Sequence, residues 1–339
     1  MAYPTPVKRT RVALVALALV SACRERPSDG QLEKWRLEAV EANGAAIAAS
    51  ATRAALPAWT LGIAGGVAHP GETLGWKDID ALATTHVRTH SPQSPADPSS
   101  VTDFRGVRVA DLLARVQADA SADEITFVAY DAFRSTVKQA DARRFPITLA
   151  IAADGKPIAR AAGGPIFLVF PHSEYEETRT LYPDRYWCFY VTHMIVGTEP
   201  IALRVGGQTL DAAALAALPQ ATQTGPVGFK VHWPSGEVAL SGVRLGAVLT
   251  AAGVSVPPGA GITLRGKAPI QRDAKDPIRI AAADLAACDP LIVTHWGADH
   301  APVTARLGGP LAVAIPPACA DRYGDRYWVT FLEEIEVGP

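Results

Sequence analysis

Apolar and polar positions follow the same order of elements in two halves of the chain. In each half, an apolar run typical of a strand is followed by a short helix, at 76–82 or 211–218. A second strand then leads into a helix with apolar residues at helical spacing, at 110–116 or 246–252. Several further strands complete each half. This order predicts an α+β fold built from two similar domains.

Three short sequences recur in the same order and indicate a tandem duplication. They are FRGVRV (104–109) with LSGVRL (240–245), GGP (163–165) with GGP (308–310), and DRYW (184–187) with DRYW (325–328). The separation between the partners changes slightly along the chain, which places small insertions in loops.

Glycine and tryptophan in these repeated sequences predict structural roles. Gly106 and Gly242 precede the repeated helix, and we expect each to need a special backbone angle. Gly-Gly-Pro before an apolar run predicts a tight turn into a buried strand. Trp187 and Trp328 are expected to open the last strand of each half and to pack under the sheet as core residues, not as ligand contacts.

Length and composition agree with two ordinary folded domains. The chain has 339 residues, of which 48% are apolar and 19% charged, so each half has enough apolar residues for a core. The formal net charge is -2 and no basic block occurs. A nucleic-acid partner is therefore excluded as an interpretation, because it requires a concentrated positive surface.

The first residues follow the pattern of a signal peptide. Three basic residues precede an apolar run at 12–20, which ends in small residues before Cys23. The run is shorter than the ~20 residues that span a membrane. The pattern at 1–23 resembles a bacterial lipoprotein signal, in which Cys23 is lipidated; an ordinary secretory signal is the alternative. We therefore expect a protein anchored by lipid on the periplasmic side of a bacterial membrane, or a secreted one.

Residues 24–56 are predicted to form a helical spacer. Leu32, Trp35 and Val40 recur at helical spacing between charges, and Pro57 ends the pattern. The helix either holds the folded part away from the membrane or packs on the first domain.

Three cysteines remain beyond the signal: Cys188, Cys288 and Cys319. Because their number is odd, at most one pair can close within the chain. Cys288 and Cys319 lie in the same half and are the favoured pair, although the sequence leaves the pairing open.

Further motifs in the first copy carry a family resemblance. They are LGIAGGV at 61–67, FRGVRVADLL at 104–113, and DGKPI at 154–158 ahead of Gly-Gly-Pro. Together they resemble the oxidoreductase molybdopterin-binding domain of the sulfite oxidase superfamily, over about 59–197. The resemblance implies sulfite-oxidase-like domains at 57–198 and 199–339 and makes molybdopterin a possible cofactor.

One departure from the family bears on function. In catalytic members, a cysteine thiolate after the strand that precedes the Gly-Val motif ligates molybdenum. Here that strand reads THVRTH at 85–90, followed by a Pro- and Ser-rich loop, and FKVHWP at 229–234 is taken as its equivalent. Neither contains cysteine, so neither copy is expected to ligate the metal in the usual way. His90 and His232 lie near the position, where a loop role is favoured over ligation.

The resemblance also places several segments near the family's cofactor pocket. The candidate cofactor-binding residues are His90, Asp131, Arg134, Asp184 and Arg185. His295 and His300 lack a metal-ligand pattern around them, so a surface or loop role is expected. The acidic stretch 174–177 is expected to be a solvated loop. No nucleophile elbow, phosphate loop or zinc-protease motif occurs.

Three hypotheses about function follow. The first is a binding or accessory module that keeps the fold without the molybdenum thiolate, with a small anion as one sensible ligand. The second is a molybdopterin-dependent oxidoreductase that holds its cofactor without a protein thiolate. The third is a module that docks a periplasmic redox or sensor protein, such as a membrane cytochrome, in the cleft between the copies.

Overall fold

The computed structural model describes residues 59–92 and 100–338. The predicted signal peptide 1–23 with Cys23, and the predicted spacer 24–56, lie outside the described residues, as does 93–99 of the Pro- and Ser-rich stretch after THVRTH. Across the described ranges, no helix combines the length and the apolar character needed to cross a membrane.

In its described residues, the first repeat contains ten strands and four short α-helices. In chain order they are β1 (Leu61–Gly65), β2 (Thr73–Leu74), α1 (Trp76–Leu82), β3 (Thr85–Thr89), β4 (Thr102–Arg108), α2 (Val109–Arg115), β5 (Glu124–Ala129), β6 (Arg134–Lys138), α3 (Gln139–Arg144), β7 (Thr148–Ala153), β8 (Lys156–Pro157), β9 (Phe167–Val169), α4 (Glu177–Leu181) and β10 (Val191–Val196).

The second repeat contains ten strands and three short α-helices. They are β11 (Ala202–Val205), β12 (Gln208–Asp211), α5 (Ala212–Ala216), β13 (Gln220–Pro226), β14 (Glu237–Arg244), α6 (Leu245–Ala251), β15 (Gly261–Gly266), β16 (Arg279–Ala281), α7 (Ala282–Cys288), β17 (Leu291–Trp296), β18 (Ala301–Pro302), β19 (Ala312–Ala314) and β20 (Leu332–Gly338).

Each repeat folds into two five-stranded sheets with the same strand order. In the first repeat, sheet A has the order β2-β1-β10-β5-β6, and sheet B has the order β3-β4-β7-β8 with β9 also on β7. In the second, sheet C has the order β12-β11-β20-β15-β16, and sheet D has the order β13-β14-β17-β18 with β19 on β17. The corresponding strands pair in the same way, so the predicted α+β tandem is confirmed. The domain boundaries at 57, 198 and 199 stay a prediction.

The repeated helix forms for the same reason in both copies. In α2, the buried residues Val109, Leu112 and Leu113 have the i, i+3, i+4 spacing of one helix face. In α6, Leu245, Val248 and Leu249 repeat that spacing. Each seven-residue helix depends on this apolar face against the sheet, because so short a helix is not stable alone.

The two repeated sequences after this helix behave differently from each other. Gly163 and Gly308 both adopt left-handed angles before cis Gly-Pro bonds, and both lead into buried strands, as predicted. The DRYW sequences do not open a strand. Each forms a 3-10 helix, Asp184–Tyr186 or Asp325–Tyr327, that ends before the tryptophan.

The two tryptophans of the DRYW sequences have different environments. Trp187 is 2% exposed and packs edge-on against Phe104 at 5.8 Å, so its predicted core position is confirmed. Trp328 is only half-buried and lines a cavity. Its ring packs against the core of the second repeat, and the expectation that it makes no ligand contact stays a prediction.

The predicted disulfide joins Cys288 at the end of α7 to Cys319 in the 3-10 helix Pro317–Cys319. The favoured pairing is confirmed. Cys188 is a free, buried thiol.

The two repeats contact each other through the outer face of sheet A. Val128 and Ile195 on that face are fully buried and pack with Phe331 of the second repeat. Strand register makes Arg265 and Glu336 the equivalents of Val128 and Ile195 in sheet C. Those two residues form an exposed ion pair of 2.8 Å. The contact is head-to-tail, and the charged face of sheet C cannot repeat it.

Polar contacts add to this interface. Arg134 donates from Nε to the carbonyl oxygen of Arg306 at 2.8 Å and from Nη2 to that of Val231. The backbone N–H of Ile270 donates to the carbonyl oxygen of Tyr130 at 3.1 Å. The second repeat is thus held by directional bonds as well as by apolar burial.

Substitution of either repeated glycine by alanine is predicted to destabilise the protein by a similar amount. Neither Gly106 nor Gly242 adopts a positive φ, so the expected special angle is wrong. Instead, a Cβ atom would lie 2.2 Å from the carbonyl oxygen of Leu149 at Gly106, and 2.0 Å from that of Ile292 at Gly242. We expect Gly106→Ala and Gly242→Ala each to lower the free energy of unfolding in urea by about 3 kcal/mol.

The control for these variants is Gly324→Ala, because no atom lies within 4 Å of a Cβ there. It should change the free energy of unfolding by less than about 0.5 kcal/mol. A loss in only one of the two repeats would contradict the shared close approach of the strands.

His193 predicts a loss of stability in acid. It lies on the outer face of sheet A, and burial, followed by the charge of Lys267, lowers its pKa to about 4 from 6.5. Between these values the unfolded chain binds the proton more readily, so the free energy of unfolding falls as the pH drops from 6.5 towards 4. We expect a fall on the order of 2 kcal/mol in urea titrations, and a smaller one in His193→Gln.

The exposed residue His69 is the control for this prediction. His69→Gln should keep the pH dependence of the wild type. If His193→Gln and the wild type lose stability equally between pH 6.5 and pH 4, His193 is not the group responsible.

Candidate functional site

A cavity of about 560 Å³ lies between the two repeats. The first repeat contributes the β5–β6 turn, 131–134. The second contributes the loop 228–231, part of the 3-10 helix Pro269–Arg272, and residues from the DRYW segment. Its volume is within the range of small-molecule sites in proteins.

The β5–β6 turn positions the contribution of the first repeat. Asp131 accepts a hydrogen bond at Oδ1 from the backbone N–H of Phe133 at 3.0 Å, which is an Asx turn. Ala132 takes a left-handed φ of 67° to complete it. The turn ends at Arg134, the first residue of β6, and so fixes both Asp131 and Arg134 at the cavity.

Arg134 brings a buried positive charge to the cavity. Its side chain is 2% exposed, and its hydrogen bonds go to two carbonyl oxygens. Within the described ranges, no carboxylate lies within 4 Å of it. Burial lowers the pKa of Arg134 to about 9, so the guanidinium is still protonated at neutral pH.

An aromatic wall faces this charge from the second repeat. Phe229 packs edge-on against Trp328 with ring centroids 4.9 Å apart, and stacks on Trp233 at 4.7 Å. Gly228 permits this arrangement, because a Cβ atom there would lie 2.4 Å from Cδ1 of Trp328. Ile270, which is 47% exposed, continues the apolar surface.

Two buried polar residues complete the lining. Gln271 is 8% exposed, and its Oε1 atom has no hydrogen-bond partner in the described part of the chain. Gly266 leaves room for this amide, since a Cβ atom there would lie 1.9 Å from Oε1. Thr330 is 5% exposed. Gln271 is therefore a residue of the lining whose side-chain oxygen has no hydrogen-bond partner among the described residues.

Four other charged residues of the cavity form two ion pairs, whereas the carboxylate of Asp131 accepts from the backbone N–H of Phe133. Arg326 contacts Asp276 at 2.8 Å, and Lys230 lies 3.9 Å from Asp325. All four side chains are largely exposed, so these pairs contribute little to stability. Among the described residues, Arg134 is therefore the cation of the lining that has no carboxylate within 4 Å.

The five candidate residues predicted from the sequence separate into two places. Asp131 and Arg134 lie together at the cavity. Asp184 and Arg185 lie in an exposed 3-10 helix elsewhere, and Arg185 covers the Tyr186 ring at 5.4 Å. Their counterparts Asp325 and Arg326 line the cavity instead.

His90 lies outside the cavity. Its backbone N–H donates to Ser173 Oγ at 3.2 Å, and its Nδ1 atom lies 3.4 Å from the carbonyl oxygen of Ser100. His90 and Asp184 both lie within electrostatic reach of the buried His172.

The supposed equivalence of His90 and His232 is wrong. Thr85 pairs with Gly106 in sheet B, and Ala221 pairs with Gly242 in sheet D. This register makes Pro226, at the end of β13, the equivalent of His90. His232 lies farther along the loop and contacts the Tyr186 ring at 5.8 Å. Burial lowers the pKa of His232, which favours its neutral form.

His295 and His300 form a stacked pair near the surface. Their ring centroids are 4.4 Å apart, and their Nδ1 atoms contact the hydroxyl groups of Thr294 and Ser241 at 2.9 Å. No group of three or more potential metal ligands occurs in the part of the chain that the structure describes. The geometry gives this pair no third ligand.

Molybdenum ligation by a thiolate does not fit the described residues. The end of β3 offers Thr89 and His90, and β13 ends at Pro226. Cys188 is the free cysteine of the described ranges, but it is fully buried, and burial raises the pKa of its thiol well above the usual range. A buried, protonated thiol is not available to a metal.

Most of the cavity has no signal in the sequence. The sequence drew attention to Asp131 and Arg134, and to the aromatic residues near 229–234, but not to a link between them. Gln271 and Ile270 have no motif around them. Only the packing of the second repeat on sheet A brings these residues to Arg134.

Comparison with known proteins finds a family match for most of the first repeat. Residues 48–175 match the oxidoreductase molybdopterin-binding domain. Among solved structures, the chain is similar to the sulfane dehydrogenase SoxCD from Paracoccus pantotrophus, at 11% identity and a TM-score of 0.34. That similarity covers 67% of this chain and 60% of the other, so the chain spans less than two thirds of that protein. No curated protein matches the sequence significantly.

The buried state of Cys188 predicts an inert thiol. The native protein, produced without Cys23 by a Cys23→Ser substitution, should not react with a thiol reagent such as DTNB, because Cys288 and Cys319 are bonded. In denaturant, one thiol per chain should react. A rapid reaction of the native protein, absent in Cys188→Ser, would contradict the burial of Cys188.

Proposed function

We propose that this chain is a binding or accessory module with a sulfite-oxidase-like molybdopterin-binding domain, and that its ligand site is the cavity between the repeats. In this proposal the protein does not perform molybdenum chemistry. The observation that carries it is the buried charge of Arg134 at a cavity with an apolar wall, combined with the absence of an available thiolate among the described residues.

The cavity supports a role for the duplication. Asp131 and Arg134 come from the first repeat, whereas Phe229, Gln271 and Trp328 come from the second. A single repeat would have only part of this lining. Sites between domains are common in proteins, because two surfaces meet there without filling the space completely.

The location belongs to the proposal as well. The pattern before Cys23 supports a lipid anchor on the periplasmic side of a bacterial membrane. The disulfide between Cys288 and Cys319 supports an oxidising compartment, since such bonds are rare in the cytosol. The ligand would then reach the cavity from the periplasm.

Each of two alternative functions is supported by a specific observation. The match of 48–175 to a family that typically binds molybdopterin favours a molybdopterin-dependent oxidoreductase. Such an enzyme would have to hold its cofactor without the thiolate. The exposed Ile270 at the cavity favours a docking module for a sensor or cytochrome, because a partner's apolar side chain could cover it.

Elemental analysis and pterin analysis test the proposal. The full chain is exported in a host that synthesises molybdopterin and matures molybdenum enzymes in the periplasm. We expect no molybdenum by mass spectrometry and no fluorescent pterin after acid oxidation. A molybdenum enzyme exported by the same cells is the positive control. Molybdenum near one equivalent per folded chain would overturn the proposal in favour of the oxidoreductase.

A further inference from the structure

The charge of Arg134 identifies one end of a ligand. Its hydrogen bonds to the carbonyl oxygens of Arg306 and Val231, both in the second repeat, orient the guanidinium. These carbonyl groups are neutral, so the positive charge stays uncompensated in a buried site. Buried charges in proteins are normally paired. An anion at the cavity would supply the missing partner, and a carboxylate suits the planar guanidinium.

The aromatic wall identifies the other end. The same cavity is lined by two aromatic rings, Phe229 and Trp328, and by the aliphatic side chain of Ile270. A bare inorganic anion would leave this surface in contact with water. An apolar body attached to the anion would cover this surface and remove it from water.

Gln271 adds a third requirement. Its Oε1 atom is buried and lacks a donor, and the residue lines the cavity. A buried acceptor without a donor is costly. An O–H or N–H group on the ligand would satisfy it.

From these three features we infer that the cavity binds a small organic carboxylate with an apolar body and a hydrogen-bond donor, and this inference rests on the proposed binding function. The carboxylate pairs with Arg134, the body lies against Phe229 and Trp328, and the donor serves Gln271 Oε1. The rim pairs Arg326–Asp276 and Lys230–Asp325 are not required, because each is already compensated.

The test uses the full chain and a set of matched probes. 3-Phenyllactate carries all three features. 2-Hydroxy-3-phenylpropanamide lacks the charge, lactate lacks the ring, and 3-phenylpropionate lacks the hydroxyl group. Phenyl phosphate replaces the carboxylate by another anion. Titrations are followed by calorimetry and by the fluorescence of Trp328, with Trp328→Phe to assign the signal.

We expect 3-phenyllactate to bind most tightly. The amide and lactate should each bind at least about tenfold more weakly, because they lose the charged pair or the apolar contact. 3-Phenylpropionate should bind about threefold to tenfold more weakly, since it leaves the glutamine oxygen without a donor. Phenyl phosphate should bind no more tightly than 3-phenyllactate.

Substitutions connect the binding to the cavity. Arg134→Gln should abolish the preference for 3-phenyllactate over its amide, and Arg134→Lys should retain part of it. Arg185→Gln, in the exposed 3-10 helix outside the cavity, is the matched control and should bind as the wild type does. Because Arg134 also bonds the two repeats, its variants are checked for folding by urea unfolding.

Gln271 provides a second route if the Arg134 variants fail to fold. Gln271→Met keeps a similar volume and removes the acceptor, so 3-phenyllactate and 3-phenylpropionate should then bind equally. Gln271→Glu adds a carboxylate to the cavity. It should weaken the binding of 3-phenyllactate by at least about tenfold and have little effect on the binding of the amide.

Several outcomes would overturn the inference. They are equal affinity for the carboxylate and its amide, tighter binding of phenyl phosphate, unchanged binding in both Gln271 variants, or no saturable binding of any probe. The metal analysis distinguishes this failure from that of the proposed function. A molybdenum-free protein that binds the amide and the carboxylate equally remains a binding module with a different ligand class, whereas a molybdenum-loaded protein is not the proposed module.

Discussion

The apolar outer face of sheet A is the constraint on which the arrangement of the molecule depends. A sheet with apolar residues on both faces needs a cover on each side. The first repeat covers one face with its own core, and the second repeat covers the other with Phe331 and its neighbours. The equivalent face of sheet C carries Arg265 and Glu336, which remain in water. Sheet C therefore does not offer the apolar surface that the head-to-tail contact uses on sheet A.

Arg134 links this interface to the cavity. A buried arginine is expensive unless its N–H groups have acceptors. Carbonyl groups of the second repeat provide two, at Arg306 and Val231, which explains how the side chain is tolerated. They do not provide a negative charge. The same residue thus stabilises the docking of the repeats and leaves a positive site at the cavity between them.

Divergence after duplication gave one sequence motif two environments. In the first repeat, Trp187 lies against Phe104 in the core. In the second, Trp328 packs edge-on against Phe229 and is half-buried at the cavity. The loop after β13 causes the difference, because Gly228 lets Phe229 approach the indole ring. A structural element of the ancestral fold has in this way become part of the wall of the candidate site.

The sequence by itself determined the elements, the duplication, the α+β class, and the lack of a cysteine at the ends of β3 and β13. These features depend on local periodicity and on short repeated motifs, which neighbouring residues specify. The disulfide pairing was favoured but left open. Only the tertiary structure decided that Arg134 faces Phe229, Gln271 and Trp328, residues far away in the chain. It also corrected the role of Gly106 and placed Trp328 at the cavity. The physical reason is that both depend on how closely distant strands and repeats approach, and that distance is set by the packing of whole sheets.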